Sequence, residues 1–256
     1  MDRTEGSFSG AGGVEIAWQA WTEEPARGVV VIAHDVCGHG GRYGNVVDWI
    51  VPKGCAVVAP DHRGHGRSGG ERALIDDVDA AAADLGTVIG QAHADHPGVP
   101  VFLLGQGMGG ALGIALALRR PLDGLILTAP MLTPPRPSPV DATALSRDPA
   151  VVSAFEADPL VHHGPLPEQT VAALSEEIAT FDSRAKELTL PFLLMHGYAD
   201  RLADPEKSRA FHAAAGSDAK ILVLWAGLFH EIFNEPPEDR EEPLERLSGW
   251  LDEHAP

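Results

Sequence analysis

Cysteine is nearly absent, with Cys37 and Cys55 the only two in 256 residues. That excludes a disulfide framework, leaves no thiolate metal-ligand spacing, and fits a reducing cytoplasm. Basic residues are scarce too. Nineteen Lys and Arg against 37 Asp and Glu give a formal net charge of -18, which repels phosphate backbones and anionic membrane surfaces. Nucleic acid is therefore not expected as a partner, and small neutral or apolar molecules are. Long apolar runs are missing, and the start, MDRTEGSFSGAGGVEIAW, lacks a basic segment leading into an apolar one. Neither membrane insertion nor a secretory leader is expected, and the chain reads as cytoplasmic.

What is present is a regular alternation of short apolar runs with longer amphipathic or Ala-rich segments. GVVVIAH (28–34), CAVVAPD (55–61), VFLLG (101–105), LDGLILTAP (122–130), PFLLMHG (191–197) and KILVLWAG (220–227) are continuously apolar, as strands buried on both sheet faces must be. Between them, Val78, Ala82, Leu85 and Ile89 stand at helical spacing, as do Leu244, Leu247 and Leu251 near the end, and GGALGIALALRR forms an almost wholly apolar helix. The pattern predicts βαβ units in a mostly parallel central sheet flanked by helices. Val14, Ile16 and Trp18 alternate after a Gly-Gly turn, which predicts an antiparallel hairpin on one sheet edge. One domain over residues 1–256 is expected, with a core of 1–130 and 189–256.

Residues 131–188 break the rhythm with prolines first and then weak helical patterns. An insertion of that length at the carboxyl edge of an α/β sheet is expected to form a short lid over the ligand crevice.

One further absence governs the chemistry. VFLLGQGMGG, Val101 to Gly110, runs from a strand through a glycine-rich turn into a helix, the layout that exposes a serine nucleophile in many hydrolases. Gly107 stands where that serine belongs. The remaining triad order is intact: Asp200 follows the 191–197 strand and His230 follows the 220–227 strand. An imidazole at 230 can take a proton at position 107 while a carboxylate at 200 fixes its tautomer. The second nitrogen of His230 is then expected to face a gap the size of a hydroxymethyl group beside Gly107.

APDHRGHGRSGGER, LSRDPAVVSAFEADPLVHHG, HGYADRLADPEKSR and GLFHEIFNEP resemble the bacterial monoacylglycerol lipase and lysophospholipase group of serine hydrolases, over nearly the whole chain. The resemblance implies an α/β-hydrolase fold, Asp200 and His230 as catalytic acid and base, the backbone N–H groups of Val36 and Met108 as oxyanion hole, a lid over an acyl pocket, and no cofactor. His34 and Gln106, next to these positions, are expected to contact substrate. The chain departs from the group in three places. Gly-His-Ser-Met-Gly-Gly becomes Gly105-Gln106-Gly107-Met108-Gly109-Gly110, and in HDVCGHGGRY Asp35 replaces a glycine and Gly38 a glutamate. The start of the lid is also shorter by about a helix.

Other candidates carry simpler readings. A thiol at Cys37 would approach from the wrong side and is read as packing, and Asp35 is read either as an acid or as a turn residue. His62 and His65 are read as loop-holding residues. His162 and His163 lack a third ligand at useful spacing, so no metal is expected.

Three readings stay open. The first is a cofactor-free enzyme using His230 and Asp200 as a general base on a small apolar or carbonyl substrate, in water-mediated hydrolysis, lyase or isomerase chemistry. The second is a lipase or esterase whose serine became glycine, in which Gly107→Ser should restore ester hydrolysis unless Asp35 interferes. The third is a non-catalytic ligand-binding protein.

Overall fold

The apolar runs assemble as their alternation dictates. The structure, a computed structural model, describes residues 1–255. An antiparallel hairpin of β1 (Asp2–Ser9) and β2 (Glu15–Thr22) leads into β3 (Gly28–Ala33), α1 (Gly44–Ile50) and β4 (Cys55–Pro60). Then come α2 (Val78–Asp95), β5 (Val101–Gln106), α3 (Gly107–Ala117) and β6 (Gly124–Thr128). After an excursion that carries α4 (Pro149–Ala157) and α5 (Glu168–Arg184), the chain returns through β7 (Phe192–Gly197), α6 (Pro205–Ala214), β8 (Lys220–Trp225) and α7 (Pro237–His254). The eight strands lie in the order β1-β2-β4-β3-β5-β6-β7-β8, with β1 at one edge and all pairs from β4 to β8 parallel. This is the α/β-hydrolase fold, with a mostly parallel sheet between helical layers.

Alternation within β3 shows why its run is apolar throughout. Val29, Val31 and Ala33 point into the cluster formed with α2 and α3, and Val30 and Ile32 into the one formed with α1 and α7. Each residue has no exposed surface, the condition for a strand covered on both faces.

The register of β3 against β5 positions the site. Val29 pairs with Val101 and Ala33 with Gly105, so the loop after Ala33 and the turn after Gly105 emerge side by side at the carboxyl edge. Contact there is close: a Cβ at Gly109 would lie 2.0 Å from the Ala33 carbonyl oxygen, so only glycine lets α3 begin against the sheet.

Residues 131–188 divide into two parts. The stretch from Met131 to Leu166 contributes to the wall of a crevice at the carboxyl edge. By contrast, α5 is a flanking helix of the core, with Leu174, Ile178 and Phe181 buried in the same cluster as Leu112 and Ala115 of α3. Its three apolar positions recur every turn, and intervening Ala and Glu residues obscure them in the sequence.

Candidate active site

At the end of β5 the chain turns sharply into α3. Gly107 adopts φ +50°, the left-handed region that glycine enters without penalty. The first backbone N–H groups of a helix have no intrahelical acceptor and lie at the positive end of its dipole. Met108 is one of these. Its N–H donates to Asp35 Oδ1 at 2.7 Å, and the Val36 N–H donates to the same oxygen at 2.7 Å. The two expected oxyanion donors therefore converge, and the carboxylate of Asp35 sits between them.

That carboxylate corrects the expectation of a vacant gap. A Cβ built on Gly107 would lie 1.9 Å from Asp35 Oδ1 and 2.2 Å from Asp35 Cγ. The volume that a side chain at 107 would require is occupied by a side chain from the neighbouring loop.

His230 closes the arrangement from beyond β8. Its Nδ1 lies 2.7 Å from Asp200 Oδ2, and its Nε2 lies 2.9 Å from Asp35 Oδ2. Asp200, beyond β7, is held on every side. Its Oδ1 accepts from the N–H groups of Leu202 at 2.7 Å and Ala203 at 3.1 Å, while His196 Nε2 lies 2.9 Å from Oδ2. His196 is fully buried and braced by Ser208 at 2.8 Å. Its role escapes a reading of the sequence because His196 is one residue inside an apolar strand, where an imidazole carries no pattern of its own.

The electrostatics follow from this packing. Burial alone would push the imidazole of His230 towards neutrality, but the carboxylates of Asp200 and Asp35 outweigh it and hold the proton well above the usual histidine range. Burial would raise Asp200, yet the positive charge of His230 and the hydrogen bonds from both imidazoles bring its carboxyl below the ordinary carboxylate range. The His230 imidazole thus lies between the carboxyl groups of Asp200 and Asp35, and the line ends at the helix N-terminus.

A cavity of about 200 Å³ opens onto this line. Asp35, Gly107 and His230 form its floor, and Met131, Pro134, Val140, Leu166 and Leu202 contribute apolar wall. Met131 N–H donates to the Gly107 carbonyl at 2.8 Å, which ties the excursion to the turn. Arg42 donates to both carboxylate oxygens of Glu231, at 3.0 and 2.9 Å, and so clamps the Asp35 loop to the His230 loop. A larger groove of about 350 Å³ lies between the hairpin and α2 and contains none of these residues.

His34 and Gln106 do not line the cavity, contrary to expectation. The His34 ring is fully buried, with Nδ1 2.7 Å from the Asp35 carbonyl and Nε2 accepting from the His62 N–H at 2.9 Å, and Gln106 is almost fully buried. Cys37 is buried beside them, and burial pushes its thiol up to about 12. His62 bonds the His34 carbonyl and His65 the Arg63 carbonyl, within the loops. His162 and His163 contact the backbone carbonyls of Pro165 and Asp158. Among the described residues no group of three or more His, Cys, Asp or Glu is arranged to hold a metal, and no helix is long and apolar enough to cross a membrane.

Comparison with known proteins agrees with this geometry at the level of fold and family. The chain is 38% identical to a monoacylglycerol lipase of Mycolicibacterium smegmatis across 98% of each chain. It is 30% identical to the human monoglyceride lipase, over 90% of this chain and 84% of that one. Among solved structures, a Paleococcus ferrophilus monoacylglycerol lipase superposes with a TM-score of 0.82 at 27% identity, covering 99% of this chain and 100% of the other. The Hydrolase_4 family, described as serine aminopeptidase S33, matches residues 24–141 and 136–237, so the chain belongs to this family of α/β-hydrolases, in its monoacylglycerol lipase-like group.

Proposed function

We propose that this chain is a cofactor-free hydrolase of small apolar molecules that works in the cytoplasm without a seryl nucleophile. In this reading protons are moved by His230 and Asp35 while Asp200 orients the imidazole, and residues 131–166 act as a lid over the substrate. The observation that carries it is the unbroken line from Asp200 through His230 to Asp35, closing on Gly107 at the floor of a cavity whose largely apolar wall also carries Thr133, Arg136, Ser138 and Asp141. Hydrolysis is favoured over lyase or isomerase chemistry by the relatives, whose names describe lipases. It is favoured also because His230, in contact with Asp200 and Asp35, has its proton held well above the usual histidine range, which suits a proton-delivering group better than a free base that abstracts a substrate proton. A serine lipase with one residue exchanged accounts poorly for Asp35, because its carboxylate fills the volume at 107 and both amide donors at once.

The test is product analysis by mass spectrometry on C4 to C10 p-nitrophenyl esters, terminal epoxides and bromoalkanes, with wild type and His230→Ala. The expected outcome is water-derived product that depends on His230 and resists serine-directed phosphonates. Recovery of every compound unchanged, though bound, would instead make the chain a ligand-binding protein; stoichiometric phosphonylation would mean that a serine nucleophile operates after all.

A further inference from the structure

We propose that Asp35 is the nucleophile of this site, and that its substrates offer an electrophilic sp³ carbon, as a terminal epoxide or a haloalkane does. The inference rests on the hydrolase reading above and names the bond the site attacks. A carboxylate that works this way has four needs: one oxygen facing the substrate, hydrogen-bond donors on the other oxygen, an imidazole able to direct water at its carbon, and room for an alkyl chain. Asp35 meets each of them. Its side chain retains 15% exposure and opens onto the cavity. Oδ1 is held by the amides of Val36 and Met108, both at 2.7 Å, and Oδ2 lies 2.9 Å from His230 Nε2. The absence of a Cβ at Gly107 is what admits the carboxyl group to this position.

The same contacts argue against an ester as the first electrophile. A carbonyl needs donors for its developing oxyanion, and both amides already serve Oδ1. Displacement at an sp³ carbon forms no tetrahedral oxyanion; its charge departs on halide or on an epoxide oxygen, which His230 rather than the two amides serves. The amides come into use one step later, when Asp35 itself has become the ester.

In the first step a lone pair of Asp35 Oδ2 attacks the carbon, the C–O bond forms, and the electron pair of the breaking bond leaves with halide or with the epoxide oxygen. The epoxide oxygen takes the His230 proton and becomes a hydroxyl; with a haloalkane the halide leaves as the anion, and His230 gives its proton to solvent once Asp35 no longer carries charge. Neutral His230 then accepts a proton from water as the water oxygen attacks Asp35 Cγ, and the oxyanion forms on Oδ1 between the Val36 and Met108 amides. Collapse breaks the bond from Cγ to the alkyl oxygen, which takes the proton back from His230 and leaves as the alcohol. The Asp35 carboxylic acid returns its proton to His230, restoring the resting site.

The experiment uses 1,2-epoxyhexane and 1-bromohexane. With His230→Ala the second step stalls, so tryptic peptide 28–42 should gain one alkyl group assigned by fragmentation to Asp35, and Asp35→Asn/His230→Ala should gain none. Wild type turning over in ¹⁸O-water should carry ¹⁸O into the Asp35 carboxylate, a readout that does not depend on any variant folding. Asp35→Asn should lower turnover by about 10³-fold or more. Product formed with ¹⁸O entering the alcohol directly, or an adduct on Cys37 instead, would overturn Asp35 as nucleophile and leave the hydrolase reading standing. No product from either probe, or from any ester, would overturn both.

Discussion

Asp35 and Gly107 share one volume: the carboxylate from the adjoining loop fills the space that a side chain at the turn would need. This changes the expectation for Gly107→Ser. The new Cβ would meet a carboxylate at 1.9 Å that is held by two amides and His230. Hydrogen bonds to a charged group contribute about 1.5–3 kcal/mol each, and a residue other than glycine at φ +50° adds roughly 1–2 kcal/mol. The single substitution should therefore leave p-nitrophenyl butyrate hydrolysis close to wild type. Asp35→Gly/Gly107→Ser, which empties the volume before filling it, should raise hydrolysis by several powers of ten, because triad members act as a unit. A sharp rise in the single variant would show that Asp35 swings away freely and is no fixed part of the site. The proton on His230 gives a second expectation. A folded pKa held above the unfolded value makes the ion-pair contribution complete below about 6.5 and lost as pH rises through the folded value. Nitrogen-15 NMR should accordingly find imidazolium at pH 7.5 in wild type and an earlier deprotonation in Asp35→Asn. A neutral His230 ring in wild type at that pH would contradict the arrangement.

At the level of elements, the sequence was most legible where burial is complete. β3, β5 and β7 are apolar almost throughout because both faces are covered; Asp200 follows one of these, whereas His230 follows β8, an edge strand buried only at Trp225, and its place after an apolar run is what marked it. The meeting of Asp35 with Gly107 was not legible, since it depends on Ala33 pairing with Gly105, a register that no local pattern states. The excursion was half legible. Its prolines marked a crevice wall, whereas α5 hid a core stripe among small and charged residues. That stripe predicts a contrast. Leu174 has no exposed surface, so Leu174→Ala should lower unfolding free energy by about 2–5 kcal/mol. Val140, on the cavity wall and only partly buried, should cost far less when changed to Ala and should alter ligand affinity instead. Denaturant melts of the two variants decide it; equal losses would return α5 to the same loose excursion as the wall.

For the whole molecule, charge and burial oppose each other as pH falls. With a formal charge of -18 at pH 7, acidification relieves self-repulsion among surface carboxylates, and salt screens that effect. Behind the site, burial keeps His34, His62 and His65 neutral, aided by their mutual proximity, with His62 lowered to about 3 and His65 to about 4. Unfolding frees these rings to take protons below about 6.5, so the unfolded state binds more protons than the folded one and stability declines as pH drops. By pH 5 the decline is about 2 kcal/mol for each fully shifted ring. The window from 6.5 to about 4 belongs to these three, joined by His212, which burial also lowers, rather than to the active-site pair. His230 is protonated in both states there, and the contribution of Asp200, whose carboxyl lies below its ordinary range, is lost only as pH falls below about 4. Urea melts at pH 7 and pH 5 in 0.3 M salt, which suppresses the surface effect, should show a lower midpoint at pH 5. His65→Gln removes one of the three titrations, so whatever it does to stability at pH 7, its loss between the two pH values should be smaller than that of wild type. Equal losses in the two proteins would mean that His65 is not neutral in the folded molecule and that acid lability arises elsewhere.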